Sequence, residues 1–170
     1  VPTNLPQHSI ELVGRETLFS RIGSWLQGES QIATLLGPGG IGKTAAARSF
    51  GGSCSLQSLE LPGGIWFSDL GSASLTSLAM AKVARDIGLR LPGTVDAESM
   101  GRAIHARGPM LLILDNLETV PGPLGKVLEE WARAAPGLRL LTTSRVRLDL
   151  AGEQCIEVPP LTLDASTILL

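Results

Sequence analysis

The stretch that decides the fold is Gln31–Phe50, which reads QIATLLGPGGIGKTAAARSF. An apolar run, Ile32–Leu36, is followed by a glycine-rich turn and then by an alanine-rich segment that favours a helix. The turn, Gly37–Thr44, matches the pattern G-x-x-x-x-G-K-[ST] at every fixed position. Glycines let consecutive backbone N–H groups turn inward around an anion, and a helix starting near Gly42 adds its unpaired N–H groups and positive dipole end. The stretch therefore predicts a strand, a phosphate-binding loop and a helix in succession.

Two side chains of this loop carry specific chemistry. Lys43 can reach the β- and γ-phosphates of a nucleotide, and the Thr44 hydroxyl is placed to ligate Mg²⁺. The alternative is a glycine-rich turn with a surface lysine, which the strand before it and the helix after it disfavour. The predicted nucleotide-binding residues of the loop are Gly37, Pro38, Gly39, Gly40, Ile41, Gly42, Lys43, Thr44 and Ala45.

Length and composition describe one globular domain. The chain has 170 residues, of which 44% are hydrophobic and 18% charged. Its longest apolar run, Met110–Leu114, is too short to cross a bilayer, and the net charge of −2 gives no indication of a nucleic-acid surface in this segment. Cys54 and Cys155 lack C-x-x-C spacing, so we interpret them as reduced thiols and expect a cytoplasmic protein.

Strand and helix patterns alternate along the chain. This alternation predicts an α/β fold with a five-stranded, mainly parallel sheet covered by helices on both faces. Together with the phosphate loop it resembles the three-layer sandwich of P-loop NTPases of the AAA+-like kind. The predicted strands are 32–36, 65–70, 110–115, 138–143 and 154–158. The predicted helices are 15–27, the helix of the loop ending at Phe50–Ser53, 75–87, 95–107, 124–134 and a further helix from Leu163. In the helix at 75–87 the predicted buried stripe is Leu75, Leu78, Ala79, Val83 and Ile87.

A carboxylate for the metal is predicted at the end of the third strand. Four apolar residues, Leu111–Leu114, precede Asp115, which should emerge at the carboxyl edge where ligands of parallel sheets bind. Next comes Asn116, an amide that can orient water but cannot accept its proton. Glu118 is the nearest alternative carboxylate and a candidate base, or else a residue that merely suits the start of a helix.

A cation is predicted near the same edge. The strand 138–143 is followed by Ser144 and Arg145, whose guanidinium could sense the γ-phosphate and stabilise charge in its transfer. The alternative is a solvated arginine in a loop that also carries Arg147.

The order of these motifs resembles the STAND signal-transduction ATPases, the group that includes NB-ARC and NACHT domains, and in particular their bacterial branch. Four landmarks carry the resemblance: LVGRE at Leu12–Glu16, GPGGIGKT at Gly37–Thr44, LLILDNLE at Leu111–Glu118 and LLTTSR at Leu140–Arg145. The segment VPPLT at Val158–Thr162, with Asp164 and Ala165 after it, resembles the start of the family's helical lid subdomain.

This resemblance implies a division of the chain and additional roles for its residues. Residues 1–10 would be a lead-in, 11–160 the nucleotide-binding domain and 161–170 the truncated start of the lid. Val13, Gly14 and Arg15 would lie against adenine and ribose, and Arg145 would be the γ-phosphate sensor. The family switches from a closed ADP form to an open, oligomerising ATP form. Lid, winged-helix and repeat domains would then belong to the same protein.

Two departures from the family bear on activity. Leu18 replaces a glutamate often found two residues after Glu16, and Asn116 replaces the second acidic residue of some branches. The first hypothesis is therefore an ATP/ADP-binding switch with slow Mg²⁺-dependent hydrolysis. The second is a nucleotide-binding scaffold without significant turnover. An ordinary P-loop kinase or motor ATPase is disfavoured because no acceptor-substrate motif occurs.

Overall fold

A computed structural model describes residues 1–6, 14–55, 60–90, 93, 95–120 and 123–160. The helices are α1 (Glu16–Leu26), α2 (Lys43–Ser55), α3 (Thr76–Asp86), α4 (Ala97–Ala106) and α5 (Leu124–Ala134). The strands are β1 (Ile32–Leu36), β2 (Gly64–Asp69), β3 (Met110–Asp115), β4 (Leu138–Ser144) and β5 (Glu153–Glu157), and a short 3₁₀ turn covers Leu117–Thr119. Val13 and the helix predicted from Leu163 lie outside the described residues.

The five strands form one parallel sheet in the order β2-β3-β4-β1-β5. This arrangement confirms the predicted α/β fold with a five-stranded sheet. In the register, Asp69 lies opposite Asp115, and Leu36 lies opposite Ser144. The carboxyl ends of β1, β2, β3 and β4 therefore meet at one edge, where α2 and its preceding loop also begin.

Side chains of β3 alternate between two cores, one on each face of the sheet. Leu112 and Leu114 pack with α3, α4 and α5, whereas Leu111 and Ile113 pack with α1 and α2. All six residues of β3 are buried. The run of apolar residues without polar alternation is explained by this double coverage, which is characteristic of parallel sheets. The described chain contains no helix long and apolar enough to cross a membrane.

The prediction that Phe50–Ser53 ends the helix of the loop is wrong, because α2 continues to Ser55. Gly51 within this helix serves packing. A Cβ on Gly51 would lie 2.6 Å from both Ile113 Cδ1 and Leu5 Cδ1, so a glycine lets the helix approach the sheet closely. The pair of glycines predicted a helix end because the tertiary contact cannot be inferred from local sequence.

The predicted apolar stripe of α3 is partly wrong. Leu75 is 56% exposed and Leu78 is 51% exposed, whereas the buried residues of α3 are Ala79, Met80, Val83 and Ala84. These buried side chains pack in one core with residues of α4 and α5. Strand β2 ends at Asp69, one residue earlier than predicted, and α5 has the predicted bounds and buried face.

Candidate functional site

The loop between β1 and α2 has the backbone geometry that its sequence predicts. Gly40 has φ +79° and Gly42 has φ +92°, a region that side chains with a Cβ rarely adopt. A Cβ on Gly40 would meet no atom within 4 Å, so the loop is open on that side. Helix α2 begins directly after it, with Ala46 N–H donating to Gly42 O at 2.9 Å. The helix N-terminus thus faces the loop and favours an anion there.

Lys43 is a buried cation that lacks a carboxylate partner. Lys43 is only 8% exposed, and its Nζ donates to Gly37 O at 2.7 Å and to Pro38 O at 2.9 Å. Within the described residues, no carboxylate lies at salt-bridge distance from this amine. Because a buried charge is costly unless it is compensated, the site is suited to an anion such as a phosphate.

Asp115 is joined to the loop helix and to β4 by hydroxyl groups. Thr44 Oγ1 lies 2.9 Å from each carboxylate oxygen of Asp115, and Thr143 Oγ1 donates to Asp115 Oδ1. Burial raises the pKa of the Asp115 carboxyl above its ordinary value, and the neighbouring carboxylates Asp69 and Glu118 act in the same direction. The hydrogen bonds from Thr143 and Thr44 oppose this rise.

The Thr44 and Asp115 oxygens fit a magnesium ion. The Thr44 hydroxyl donates to Asp115 at 2.9 Å, and this separation is also compatible with two neighbouring ligands of a magnesium octahedron whose bonds are about 2.0–2.1 Å long. No group of three or more His, Cys, Asp or Glu side chains suited to a metal occurs in the described ranges. The two oxygens of Thr44 and Asp115 suit Mg²⁺, which usually keeps several waters and binds substrate phosphates.

Glu118 and Arg145, the candidate base and sensor, form an ion pair. Arg145 Nε lies 3.3 Å from Glu118 Oε1, while Glu118 Oε2 is buried without a hydrogen-bond partner. The guanidinium carbon of Arg145 is 3.5 Å from the position that a Cβ on Gly39 would occupy. The structure therefore places Arg145 beside the loop and pairs it with Glu118.

Arg15 lies beneath the phosphate loop. It is 3% exposed, and its guanidinium donates to Ile41 O at 2.7 Å and also to Pro159 O. Burial lowers the pKa of this guanidinium below its ordinary value. Gly14, with φ +80°, is exposed beside it. Arg15 thus contacts the backbone of the loop, whereas its predicted contact with adenine and ribose stays a prediction.

Sequence reasoning missed Asp69. It ends β2 beside Asp115, and its Oδ1 accepts hydrogen bonds from Gly71 N–H at 2.9 Å and from Asn116 Nδ2 at 3.0 Å. These two bonds hold the pKa of Asp69 below its ordinary value. The sequence pattern that identified Asp115, a carboxylate at the end of a strand, is also present at Asp69. It was overlooked because the predicted strand extended to Leu70 and so placed Asp69 inside it.

No model of a known protein family matches the chain. It is 33% identical over 139 residues to a Mycobacterium tuberculosis protein named as an HTH-type transcriptional regulator, covering 81% of this chain and 15% of that protein. It is also 30% identical over 164 residues to an uncharacterized protein of the same species, covering 95% of this chain and 40% of that one. The chain therefore spans less than half the length of these relatives.

Several solved structures have the same fold as this chain. Cdc6p from Pyrobaculum aerophilum matches with a TM-score of 0.72 at 17% identity, over 96% of this chain and 51% of that one. ORC1 from Aeropyrum pernix, in complex with DNA, matches with a TM-score of 0.67 at 20% identity, over 96% and 50%. AMPPCP-bound DnaA from Aquifex aeolicus matches with a TM-score of 0.53 at 14% identity, over 85% and 46%. The chain thus has the α/β fold of the AAA+ P-loop ATPases.

Proposed function

We propose that this chain is the ATP- and ADP-binding core of a STAND-type regulatory ATPase that hydrolyses ATP slowly with Mg²⁺. The observation that carries the proposal is the juxtaposition of a buried Lys43, which has no carboxylate partner among the described residues, and a hydrogen-bonded Thr44–Asp115 pair whose oxygens suit Mg²⁺. A loop that merely turned the chain would need neither group. The sequence resemblance supplies the STAND assignment, and the fold is consistent with it.

Each residue of the site has a role in this proposal. The N–H groups of Gly39–Lys43 and the Lys43 amine bind the β- and γ-phosphates. Thr44 and Asp115 hold Mg²⁺, which when bound neutralises phosphate charge. Arg145 senses the γ-phosphate, and Glu118 is the candidate proton acceptor.

The ion pair between Glu118 and Arg145 supports a switch. Arg145 cannot bind a γ-phosphate with its full guanidinium while its Nε engages Glu118. ATP would therefore exchange this contact for a phosphate contact that ADP cannot offer, and such a difference is what shifts a two-state equilibrium. We further propose that lid and winged-helix domains of a longer cytoplasmic protein respond to this change, with nucleotide-dependent oligomerisation. The regulator name of one relative agrees with such a role.

A second candidate function is a nucleotide-binding scaffold without significant turnover. Asn116 favours it, because an amide occupies the position directly after the metal-binding carboxylate and cannot take a proton. Phosphate release by the intact protein, with Asp115→Ala and Glu118→Ala as comparisons, distinguishes the two candidates.

Calorimetric titration with Mg-ATP and Mg-ADP tests nucleotide binding. We expect Lys43→Ala to weaken binding roughly 10- to 100-fold, since a charge-assisted hydrogen bond contributes about 1.5–3 kcal/mol. The matched control is Lys126→Ala, which removes an exposed lysine on α5 and should bind like the wild type. Equal affinity in the wild type and Lys43→Ala, or no binding by longer forms that include the lid, would contradict the proposal.

A further inference from the structure

The amide of Asn116 is held in one orientation by two carboxylates. Its Nδ2 donates to Asp69 Oδ1 at 3.0 Å and to Asp115 Oδ2 at 3.1 Å. Only the NH₂ end of an amide can donate, and ionised carboxylates only accept. The Oδ1 end must therefore point away from both carboxylates. No hydrogen bond to this oxygen occurs in the described part of the chain, so it remains available as an acceptor.

The backbone fixes Asn116 as firmly as the side chain does. Its φ of 62° lies in the left-handed region, which asparagine tolerates better than most residues, and its N–H donates to Thr143 Oγ1 at 3.0 Å. Thr143 in turn donates to Asp115, so one hydroxyl holds both the backbone N–H of Asn116 and the metal-binding carboxylate. The position of Asn116 relative to Asp115 is thereby set.

Gly71 completes the support for Asp69. Its N–H donates to Asp69 Oδ1 at 2.9 Å. A Cβ at position 71 would lie 3.1 Å from Asp69 Oδ1 and 3.2 Å from Asn116 Nδ2, so a larger residue would crowd both groups. Because Asp69 and Asp115 lie opposite each other in the register, the carboxylate of β2 reaches the residue that follows β3.

We propose that Asn116 Oδ1 orients the water that attacks the γ-phosphate, and that Asp69 is the positioning residue that aims it. This inference rests on the proposed function. In phosphoryl transfer the protein contributes mainly positioning and electrostatic stabilisation, and an amide that orients the attacking water is sufficient in some P-loop enzymes. An amide at position 116 is therefore compatible with hydrolysis, provided that its orientation is maintained.

The step balances without a further reactant. The water oxygen forms a bond to the γ-phosphorus while the bond from that phosphorus to the bridging oxygen breaks, and its electron pair remains on ADP. One water proton stays on the phosphate as a hydroxyl, and the other passes to solvent directly or through Glu118. Asn116 accepts a hydrogen bond from the water throughout and takes no proton.

The presence of Asp69 also accounts for the amide at position 116. A carboxylate there would lie about 3 Å from the oxygens of both Asp69 and Asp115 and would repel them, since like charges in contact disfavour the ionised forms. The negative charge that other sites carry directly after the metal ligand is placed one strand away in this protein.

A double-mutant cycle on the intact protein tests the proposal through steady-state phosphate release. We expect Asp69→Ala and Asn116→Ala each to lower kcat about 100-fold, the effect of misplacing a reacting group by about 1 Å, with KM and ADP affinity unchanged. The double variant should equal Asn116→Ala alone, because Asp69 acts through the amide. Asp69→Asn keeps an acceptor oxygen and should retain most of the activity.

The control variant is Glu98→Ala, which removes a surface carboxylate paired with Arg102 and should behave like the wild type. Circular dichroism verifies that each variant is folded. Wild-type kcat in Asp69→Ala, a further loss in the double variant, or an Asp69→Asn as inactive as Asp69→Ala would each overturn the inference. So would a wild type that binds ATP without turnover, which leaves the nucleotide-binding role intact. A wild type that binds no nucleotide refutes the proposed function itself.

Discussion

Arg145 is the residue whose role depends most on the nucleotide. Its side chain is 65% exposed, and it pairs with Glu118, whose second oxygen is buried without a partner. Because the Glu118 side chain is only 15% exposed, the pair is partly buried, and its separation leaves a carboxylate in need of another partner. A phosphate oxygen compensates the Arg145 side of this exchange, because it too forms a charge-assisted hydrogen bond with a guanidinium.

We predict that Arg145→Ala lowers the affinity for Mg-ATP about tenfold while Mg-ADP binds as before, since one charge-assisted contact to the γ-phosphate is lost. Titration with both nucleotides measures the difference. Arg147→Ala, in the same loop and also exposed, is the control and should bind both like the wild type. An equal loss for ATP and ADP would show that Arg145 does not distinguish them.

At this scale, the sequence predicts those residues whose chemistry is local. Lys43 and Thr44 follow from the loop motif, and Asp115 follows from an apolar strand that ends in a carboxylate. Asp69 could not be paired with Asn116 in advance, because that contact depends on which strands are neighbours and on their register. The contacts of Arg15 with Ile41 and Pro159 are equally dependent on tertiary structure.

Helices α4 and α5 pack closely at a glycine. A Cβ on Gly101 of α4 would lie 2.9 Å from Ala134 Cβ of α5, and that atom cannot rotate away. The same addition on Gly23 of α1 would meet nothing within 4 Å. Alanine at position 23 therefore changes helix propensity alone, whereas alanine at position 101 changes both propensity and packing.

We predict opposite effects on stability for the two alanine substitutions. Gly23→Ala should raise the free energy of unfolding by about 0.5–1 kcal/mol, because alanine is the better helix former. Gly101→Ala should lower it by about 1–2 kcal/mol, since forced overpacking costs about 1–3 kcal/mol and exceeds the gain in propensity. Urea unfolding measures both. Stabilisation by Gly101→Ala would mean that α4 and α5 can separate without cost.

The bounds of an element were predictable where its own sequence pattern begins and ends clearly. Strands β1 and β3 and helix α5 have the bounds that the sequence predicts. The end of α2 was missed because Gly51 lies against Ile113 and does not end the helix. The buried face of α3 differs from the predicted one, since Leu75 and Leu78 are exposed. In both elements tertiary packing outweighs the local pattern.

The whole molecule is one sheet between two cores, and β3 belongs to both. Leu112 is fully buried in the core with α3, α4 and α5, and Ile113 is fully buried in the core with α1 and α2. Strand alternation predicts that neighbours face opposite sides, but the sequence alone does not show which helices cover each side. The order of the strands was likewise beyond prediction, since alternating elements are compatible with several parallel arrangements.

We predict that Leu112→Ala and Ile113→Ala each lower the free energy of unfolding by about 2–5 kcal/mol, the cost of a cavity in a packed core. Because the two cores share a strand, unfolding should remain a single transition in both variants. Urea titration followed by far-ultraviolet circular dichroism and by tryptophan fluorescence, with Trp25 in one core and Trp131 in the other, checks this. Separate transitions from the two signals would indicate independent cores.

Arg15 connects two segments that are far apart in the sequence. One buried side chain joins Ile41, 26 residues away, to Pro159, 144 residues away. Whatever orders the backbone at Ile41 therefore also favours one position of the chain at Pro159. Free-energy coupling between two sites is reciprocal. If a ligand at the loop favours one position of the chain at Pro159, then holding the chain in that position raises the affinity of the loop for the ligand by the same factor.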